Sequence, residues 1–157
     1  MKLSGFSARG GWWVIGQLLL LALILFAPGS DFGLSPTDRF RLHSAGSLLL
    51  FISAVVLVSG ILELKGALTP YPKPLEGARL AKNGIYRLIR HPLYLGVMLA
   101  SFGISLIKTS GAGGFLSFVL MIFLNAKSDR EERWLSETYP GYDDYKLRTK
   151  KFFPYIY

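Results

Sequence analysis

Four stretches of the chain are apolar and almost free of charge. They cover residues 11–28, 42–63, 92–107 and 112–126, and apart from Glu63 they contain no Asp, Glu, Lys or Arg. A helix rises about 1.5 Å per residue, so roughly 20 apolar residues cross the hydrocarbon core of a bilayer. The third stretch is short for a full span, and we expect it to begin at the membrane interface. The pattern predicts an all-α integral membrane protein with four transmembrane helices at these positions.

The composition agrees with membrane insertion. Hydrophobic residues make up 51% of the 157 residues and charged residues 18%, and the mean hydropathy is +0.37. A soluble domain usually has about 25% charged residues, so an ordinary water-soluble globule is excluded. Small residues from Thr109 to Gly114 predict a tight turn between the third and fourth helices. We interpret residues 1–157 as a single membrane domain with no separate soluble domain.

The formal net charge is +8, and the positions of the cations predict the topology. Lysine and arginine precede the first apolar stretch, crowd the link between the second and third, and recur after the fourth. Because cytoplasmic loops carry an excess of these residues, we predict that both termini and the active site are cytoplasmic, in a prokaryotic inner membrane, a plasma membrane or an endomembrane. The cations also suit contact with membrane lipids that are anionic. Nucleic-acid binding is disfavoured, because no DNA- or RNA-reading motif accompanies them.

The residue types exclude several kinds of chemistry. The chain has no cysteine, which rules out disulfides, thiolate zinc sites, iron–sulfur clusters and cysteine nucleophiles. It has two histidines, His43 and His91, so we expect no metal centre. The polar residues that could do chemistry are concentrated in two segments, residues 65–91 and 127–157. We therefore expect the functional site to lie in the loop before the third helix and in the C-terminal segment.

The first of these segments, residues 65–91, leads directly into the third helix. The run from Thr69 to Pro74 is stiff and extended, because proline fixes φ and restricts the residue before it. Pro92 suits the first turn of a helix, which places His91 at the cap. Free backbone N–H groups there favour an anion such as a carboxylate. In the alternative interpretation, the arginines near His91 merely anchor the helix to lipid headgroups, with Tyr86 and Tyr94 in the interfacial aromatic belt.

The second segment begins with a carboxylate on an apolar helix face. If the fourth helix continues past Ala126, Glu131 shares its side with leucine and tryptophan, where an unpaired carboxylate is costly. Such a residue is a functional candidate, and Glu132 lies on the flank of the same face. The alternative is a surface helix with ion pairs such as Asp129–Arg133, each contributing about 0.3–0.5 kcal/mol. The aromatic and charged residues that follow, to Pro154, predict a segment that packs over the cytoplasmic end of the bundle.

These residues together resemble a known family. The resemblance rests on Gly84-x-Tyr86-x₃-Arg90-His91-Pro92-x-Tyr94-x-Gly96, followed by Glu131-Glu132-x₂-Leu135 and Tyr142-x₂-Tyr145. This pattern resembles the isoprenylcysteine carboxyl methyltransferase family and related membrane methyltransferases, including phospholipid N-methyltransferases. The resemblance covers roughly residues 69–154. It implies a membrane enzyme that takes a methyl group from S-adenosylmethionine without a Rossmann domain, and the Gly-x-Gly-x-x-Gly turn of that domain is absent from the sequence.

The resemblance also implies roles for individual residues. S-adenosylmethionine would be held by Ala78, Arg79, Leu80, Ala81, Tyr86, His91, Pro92, Leu93, Tyr94 and Glu131. A substrate-facing cation of the family falls at Lys127 or Arg130. The start of the third helix and the acidic stretch after the fourth would then fold against each other around one cofactor molecule. Methyl transfer is an in-line displacement in which positioning supplies most of the rate, so no metal is required.

The acceptor implied by the resemblance is lipophilic and enters from the bilayer. An isoprenylcysteine-type carboxylate is the first choice, and it needs no general base because it is already deprotonated. A phospholipid or other lipid amine is the second, and its proton would be removed by Glu132 or His91. Two other classes remain open. An NADPH-dependent membrane reductase has a similar motif but places an acidic residue where Val97 stands. A non-catalytic module would bind anionic lipid or a partner through its basic segments.

Overall fold

The computed structural model describes residues 6–7, 9–30, 32–64, 69–73 and 80–154. This part of the chain contains five α-helices and no strand longer than an isolated bridge, which confirms the all-α class for the described residues. The helices are α1 Gly11–Phe26, α2 Pro36–Leu64, α3 Pro92–Ile107, α4 Gly111–Thr138 and α5 Tyr142–Arg148, and a 3₁₀ turn spans Gly84–Arg87.

Each predicted span lies on a helix, but the helices differ in length. The 29-residue α2 and the 28-residue α4 are long and apolar enough to cross a membrane. The apolar helices α1 and α3 have 16 residues each, a rise of about 24 Å, which is less than the ~30 Å hydrocarbon core. The structure therefore shows two helices of spanning length, and the arrangement with four spans stays a prediction.

Local chemistry explains where the helices depart from the predicted boundaries. Helix α1 ends two residues early because Pro28 disfavours helical backbone at Ala27, which is extended with ψ of 130°. Helix α2 begins six residues early. Pro36 opens it, and the Ser35 hydroxyl oxygen accepts a hydrogen bond from the Asp38 amide at 3.1 Å. Helix α4 continues twelve residues past Ala126, so the helix carrying Glu131 is continuous with the apolar stretch, as predicted.

Helix α3 lies between α2 and α4, and α1 packs on α4. Small residues bring α2 and α3 close together: a Cβ added at Gly46 would lie 2.7 Å from the Gly103 carbonyl oxygen. The Ser53 hydroxyl donates to the Gly96 carbonyl at 2.7 Å across the same interface. On the other side of α3, the buried core consists of Ile24, Met98, Leu120, Leu124 and Phe152. The start of α3 is thus fixed against both long helices.

The predicted tight turn joins α3 to α4. Helix α3 ends at Ile107, and Ser110 caps α4 with its hydroxyl oxygen accepting from the Gly113 amide at 3.0 Å. The Ser110 hydroxyl also donates to the Pro28 carbonyl at 2.6 Å, which ties the end of α1 to this turn. The expectation of a helical hairpin is confirmed.

At the other end of the bundle, the segment after α5 packs along the residues that precede α3. The Arg90 amide donates to the Lys150 carbonyl at 2.8 Å, and the His91 amide donates to the Lys151 carbonyl at 3.1 Å. The Lys150 amide donates back to the Leu88 carbonyl at 3.2 Å. The predicted packing of the C-terminal segment over the bundle is confirmed, although its orientation relative to the cytoplasm stays a prediction.

Candidate functional site

A cavity of about 120 Å³ lies where the loop before α3, the start of α3 and the polar end of α4 meet, and it is open on one side. Its walls are mostly aromatic and apolar. Small-molecule sites usually enclose about 300–1,000 Å³, so a ligand of nucleoside size would also occupy the open side. The cavity is lined by Leu64, Thr69, Tyr71, Pro72, Leu80, Ala81, Tyr86, Arg90, His91, Leu93, Tyr94, Glu131, Leu135, Tyr139, Tyr142 and Tyr145.

Tyr94 and Glu131 join the two halves of the sequence pattern. Tyr94 lies in the first turn of α3 and Glu131 in the polar part of α4, 37 residues later. The Tyr94 hydroxyl donates to Glu131 Oε2 at 2.6 Å, the length of a strong hydrogen bond to an ionised acceptor. Both residues line the cavity. The expectation that the start of the third helix and the acidic stretch after the fourth fold against each other is confirmed.

His91 caps α3 and lies between two carboxylates. Its Nε2 is 3.1 Å from Glu132 Oε1, and its Nδ1 is 3.9 Å from Glu131 Oε2. The imidazole ring is parallel to the Tyr94 ring, with 5.4 Å between centroids. With its proton on Nε2, the ring donates to Glu132 and keeps Nδ1 as an acceptor near Glu131. The neighbouring carboxylate thus orients the histidine.

Glu132 is buried in an ion-pair network and is not among the described residues that line the cavity. Its Oε1 accepts from Arg90 Nε at 2.8 Å as well as from His91, and its Oε2 is 2.7 Å from Lys146 Nζ. Arg90 Nη1 also donates to the carbonyl oxygens of Lys146 and Thr149. From the sequence, Glu132 was a candidate catalytic base. In the structure, both of its carboxylate oxygens contact cationic side chains or the His91 imidazole. The geometry suits a residue that positions Arg90 and His91.

The two candidates for a substrate-facing cation have different surroundings. Lys127 is 2% exposed; its Nζ donates to Gln17 Oε1 at 2.6 Å and to the Pro70 carbonyl at 3.2 Å, and lies 5.1 Å from the Tyr94 ring centroid. Arg130 is exposed, and its guanidinium stacks 4.5 Å from the Trp134 ring centroid. Neither side chain is among those that line the cavity. Lys127 is the one that lies beside Tyr94, and it ties α1 to the proline-rich loop.

The remaining predicted residues divide into three groups. Leu80, Ala81, Tyr86 and Leu93 line the cavity together with those already described. Pro92 is fully buried at the first position of α3 and is not among the lining residues, which fits a role in starting the helix. Two further predicted residues, Ala78 and Arg79, lie outside the residues that the structure describes.

Several lining residues were not predicted to bind a ligand. Tyr71 and Pro72 come from the proline-rich loop, and Tyr142 and Tyr145 come from α5. The Tyr145 hydroxyl donates to the Tyr86 carbonyl at 2.7 Å, and burial raises the pKa of Tyr145 to about 12. The Tyr142 hydroxyl is buried and has no hydrogen-bond partner among the described residues. Both tyrosines belong to the Tyr142-x₂-Tyr145 element of the family pattern, which is the sequence feature that could have identified them as lining residues.

The lining offers both signs of charge and aromatic surface. Arg90 supplies a guanidinium, Glu131 supplies a carboxylate, and the tyrosines supply neutral hydroxyls. Leu64, Leu80 and Ala81 add apolar surface. Such a lining suits a ligand that combines a cation, an anion and a flat apolar group. Within the described ranges, no group of three or more histidine, aspartate or glutamate side chains could hold a metal ion.

Comparison with known proteins identifies the family. The family model described as phospholipid methyltransferase matches residues 42–141, which include most of α2 and all of α3 and α4. The nickel-cobalt-cadmium resistance protein NccN of Alcaligenes xylosoxydans xylosoxydans is 28% identical over 152 residues, covering 92% of this chain and 63% of that protein. The cobalt-zinc-cadmium resistance protein CzcN of Cupriavidus metallidurans is 33% identical over 76 residues, covering 48% of this chain and 35% of that protein.

The chain thus spans less than two thirds of the length of either relative. The match covers the helix start at Pro92 and the Glu131-Glu132 pair, on which the resemblance to membrane methyltransferases rests, and that resemblance is confirmed. Two helices of spanning length accord with a membrane protein. The chain belongs to the phospholipid methyltransferase family, in the clan of isoprenylcysteine and phospholipid methyltransferases.

Proposed function

We propose that this membrane protein transfers the methyl group of S-adenosylmethionine to a lipophilic acceptor. One observation carries the proposal: the hydrogen bond from Tyr94 to Glu131, which brings the two halves of the family pattern to one cavity. The family match supports the class of reaction. A reductase or a non-catalytic lipid-binding module would leave this match unexplained.

The cavity lining fits the chemical groups of S-adenosylmethionine. When bound, this molecule supplies an activated methyl group on a sulfonium cation. Glu131 would accept hydrogen bonds from the ribose hydroxyls or the ammonium group, and the aromatic rings of Tyr86 and Tyr94 would face cationic or flat apolar parts. Leu80 and Ala81 would hold apolar parts, and they directly follow the predicted ligands Ala78 and Arg79 in the sequence. Tyr142, which also borders the cavity, has a buried hydroxyl without a hydrogen-bond partner among the described residues.

The protein would contribute mainly by positioning. Methyl transfer needs the acceptor atom in line with the bond that breaks, and a fixed geometry can supply a large part of the rate. His91 is held by Glu132 and stacked on Tyr94, so its ring has one fixed orientation. An acceptor carboxylate needs no proton removed. For an acceptor amine, His91 lines the cavity and could accept the proton, while Glu132 orients its ring.

Two acceptors follow from different observations. The sequence pattern favours an isoprenylcysteine-type carboxylate, which would give a methyl ester. The matched family model favours a phospholipid or other lipid amine, which would give an N-methyl product. In both cases the acceptor is a membrane lipid or carries a lipid chain, and it would enter from the bilayer. We further propose that the site and both termini face the cytoplasm.

Product chemistry distinguishes the two acceptors. Purified protein would be incubated with S-adenosylmethionine labelled at the methyl group and with either N-acetyl-S-farnesylcysteine or phosphatidylethanolamine vesicles. A methyl ester releases labelled methanol in alkali, whereas an N-methyl group stays in the lipid phase. Label in neither acceptor, together with no increase in the thermal midpoint on adding S-adenosylhomocysteine, would contradict the proposed function. The matched control is the Glu131→Gln variant under the same conditions.

A further inference from the structure

Tyr142 borders the cavity and has a buried hydroxyl whose hydrogen bonding is not satisfied by the described residues. Tyr142 is 1% exposed and borders the cavity, and its hydroxyl has no hydrogen-bond partner among the described residues. Burying a hydroxyl without a partner is unfavourable, and nearly all buried polar groups in proteins are hydrogen-bonded. A hydroxyl that stays unpaired beside a binding cavity is therefore a candidate ligand contact.

The nearest charged groups do not satisfy this hydroxyl. Glu132 lies close enough to influence Tyr142, but its two oxygens already accept from Arg90, His91 and Lys146. Burial, the largest cause, and the charge of Glu132 raise the pKa of Tyr142 far above its usual value, while Arg90 opposes them. The phenol therefore stays protonated and can donate a hydrogen bond.

Arg90 has unused hydrogen-bonding capacity beside Tyr142. Its Nε donates to Glu132, and its Nη1 donates to the carbonyl oxygens of Lys146 and Thr149. Within the described residues its Nη2 makes no hydrogen bond, and Arg90 lines the cavity. A cation and a neutral donor that line the same cavity suit a carboxylate, which accepts two hydrogen bonds and is favoured by positive charge.

We propose that Tyr142 and Arg90 bind the carboxylate of an α-amino acid group at the end of the ligand. Glu131, a carboxylate that lines the same cavity, is the counterpart for the ammonium of that group. The inference rests on the proposed function, because S-adenosylmethionine carries such an amino acid end. It adds Tyr142, on α5, to the ligand-binding residues that the resemblance implies.

The Tyr142→Phe variant tests the inference best, because Arg90 also holds the C-terminal segment and its loss would disturb folding. In the ligand-free protein we expect the thermal midpoint of Tyr142→Phe to equal or exceed that of the wild type, since the lost hydroxyl has no partner. Tyr145→Phe is the matched control. It loses the hydrogen bond to the Tyr86 carbonyl, and its thermal midpoint should fall.

Calorimetric titration with two nucleosides tests the assignment to the carboxylate. S-adenosylhomocysteine has the amino acid end, whereas 5′-methylthioadenosine has the same nucleoside and a thioether but no amino acid. Tyr142→Phe should bind S-adenosylhomocysteine about tenfold more weakly and 5′-methylthioadenosine as well as the wild type does.

The other outcomes separate this inference from the proposed function. Unchanged binding of S-adenosylhomocysteine by Tyr142→Phe would overturn the inference and leave the proposed function in place. An equal loss for both nucleosides would mean a general disturbance of the cavity and would overturn the carboxylate assignment. A wild-type protein that binds neither nucleoside would overturn the proposed function, and this inference with it.

Discussion

Two adjacent glutamates of α4 have different environments. Glu131 borders the cavity and accepts from one phenol, whereas Glu132 is buried among two cations and an imidazole. The difference arises because consecutive residues on a helix point about 100° apart. Glu131 is therefore available to a ligand, and Glu132 is committed to protein contacts. Substitution of each by glutamine, which keeps the shape and removes the charge, should have separate effects.

For Glu131→Gln we expect a loss of ligand affinity with little loss of stability. A hydrogen bond to a charged group contributes about 1.5–3 kcal/mol, so S-adenosylhomocysteine should bind about 10- to 100-fold more weakly. Glu137→Gln, at an exposed position on the same helix, is the matched control and should bind normally. Calorimetric titration of the three proteins checks this, and equal affinities would show that Glu131 does not contact the ligand.

For Glu132→Gln we expect a large loss of stability. Removing one member of a buried ion pair typically costs about 3–5 kcal/mol, because it leaves Arg90 without its counter-charge. Asp129→Asn is the control: Asp129 is exposed, and its buried partner Lys151 keeps its hydrogen bond to Asn125 Oδ1, so the loss of stability should be smaller. Thermal unfolding in detergent compares the two. A midpoint for Glu132→Gln equal to that of Asp129→Asn would contradict the network described above.

At the scale of elements, local rules predicted the start of α3, but they did not predict contacts between residues far apart in the sequence. Pro92 fixes the start of α3 and His91 caps it, because the preference of proline for the first turn needs no knowledge of the rest of the fold. The partners of Glu132 were missed. Arg90 contacts Glu132 from the loop before α3, and Lys146 contacts it from α5. The spacing of residues along the sequence does not show that these three side chains are close in space. The juxtaposition of Tyr94 with Glu131 was expected from the resemblance alone.

Close packing of α2 against α3 is a second feature at this scale. A side chain larger than hydrogen at Gly46 would meet the Gly103 backbone, which cannot move aside as a flexible side chain can. Gly46→Val should therefore separate the two helices and destabilise the protein by about 1–3 kcal/mol. Gly114→Ala, on α4 with nothing within 4 Å of the added carbon, should be neutral or stabilising. Thermal unfolding in detergent measures both, and a neutral Gly46→Val would contradict this packing.

At the scale of the whole molecule, the apolar pattern predicted the order and class of the helices. It also predicted the short α3 with the bounds that the structure has, but not that α1 would end two residues early, before Pro28. The orientation of the bundle in the membrane was predicted from the distribution of lysine and arginine between the loops. This orientation depends on the membrane as well as on the sequence. It therefore needs a measurement of its own.

The absence of cysteine makes the topology directly measurable. Single cysteines would replace Phe32, in the link between α1 and α2, and Leu147, on α5; both side chains are exposed, by 59% and 86%. In intact cells a membrane-impermeant maleimide should label Phe32→Cys. It should label Leu147→Cys only after permeabilisation, because that residue is predicted to be cytoplasmic. The reverse pattern would place the cavity outside the cell.

The pairing of residues 149–151 with the chain just before α3 has a consequence for biosynthesis. These residues leave the ribosome after all four apolar stretches have been made, so the helices can enter the bilayer before the pairing exists. Arg90 and His91, which line the cavity, gain these backbone contacts only when this late segment docks. A nascent chain that stops before Thr149 would accordingly have its helices in the bilayer but lack the backbone contacts that hold Arg90 and His91.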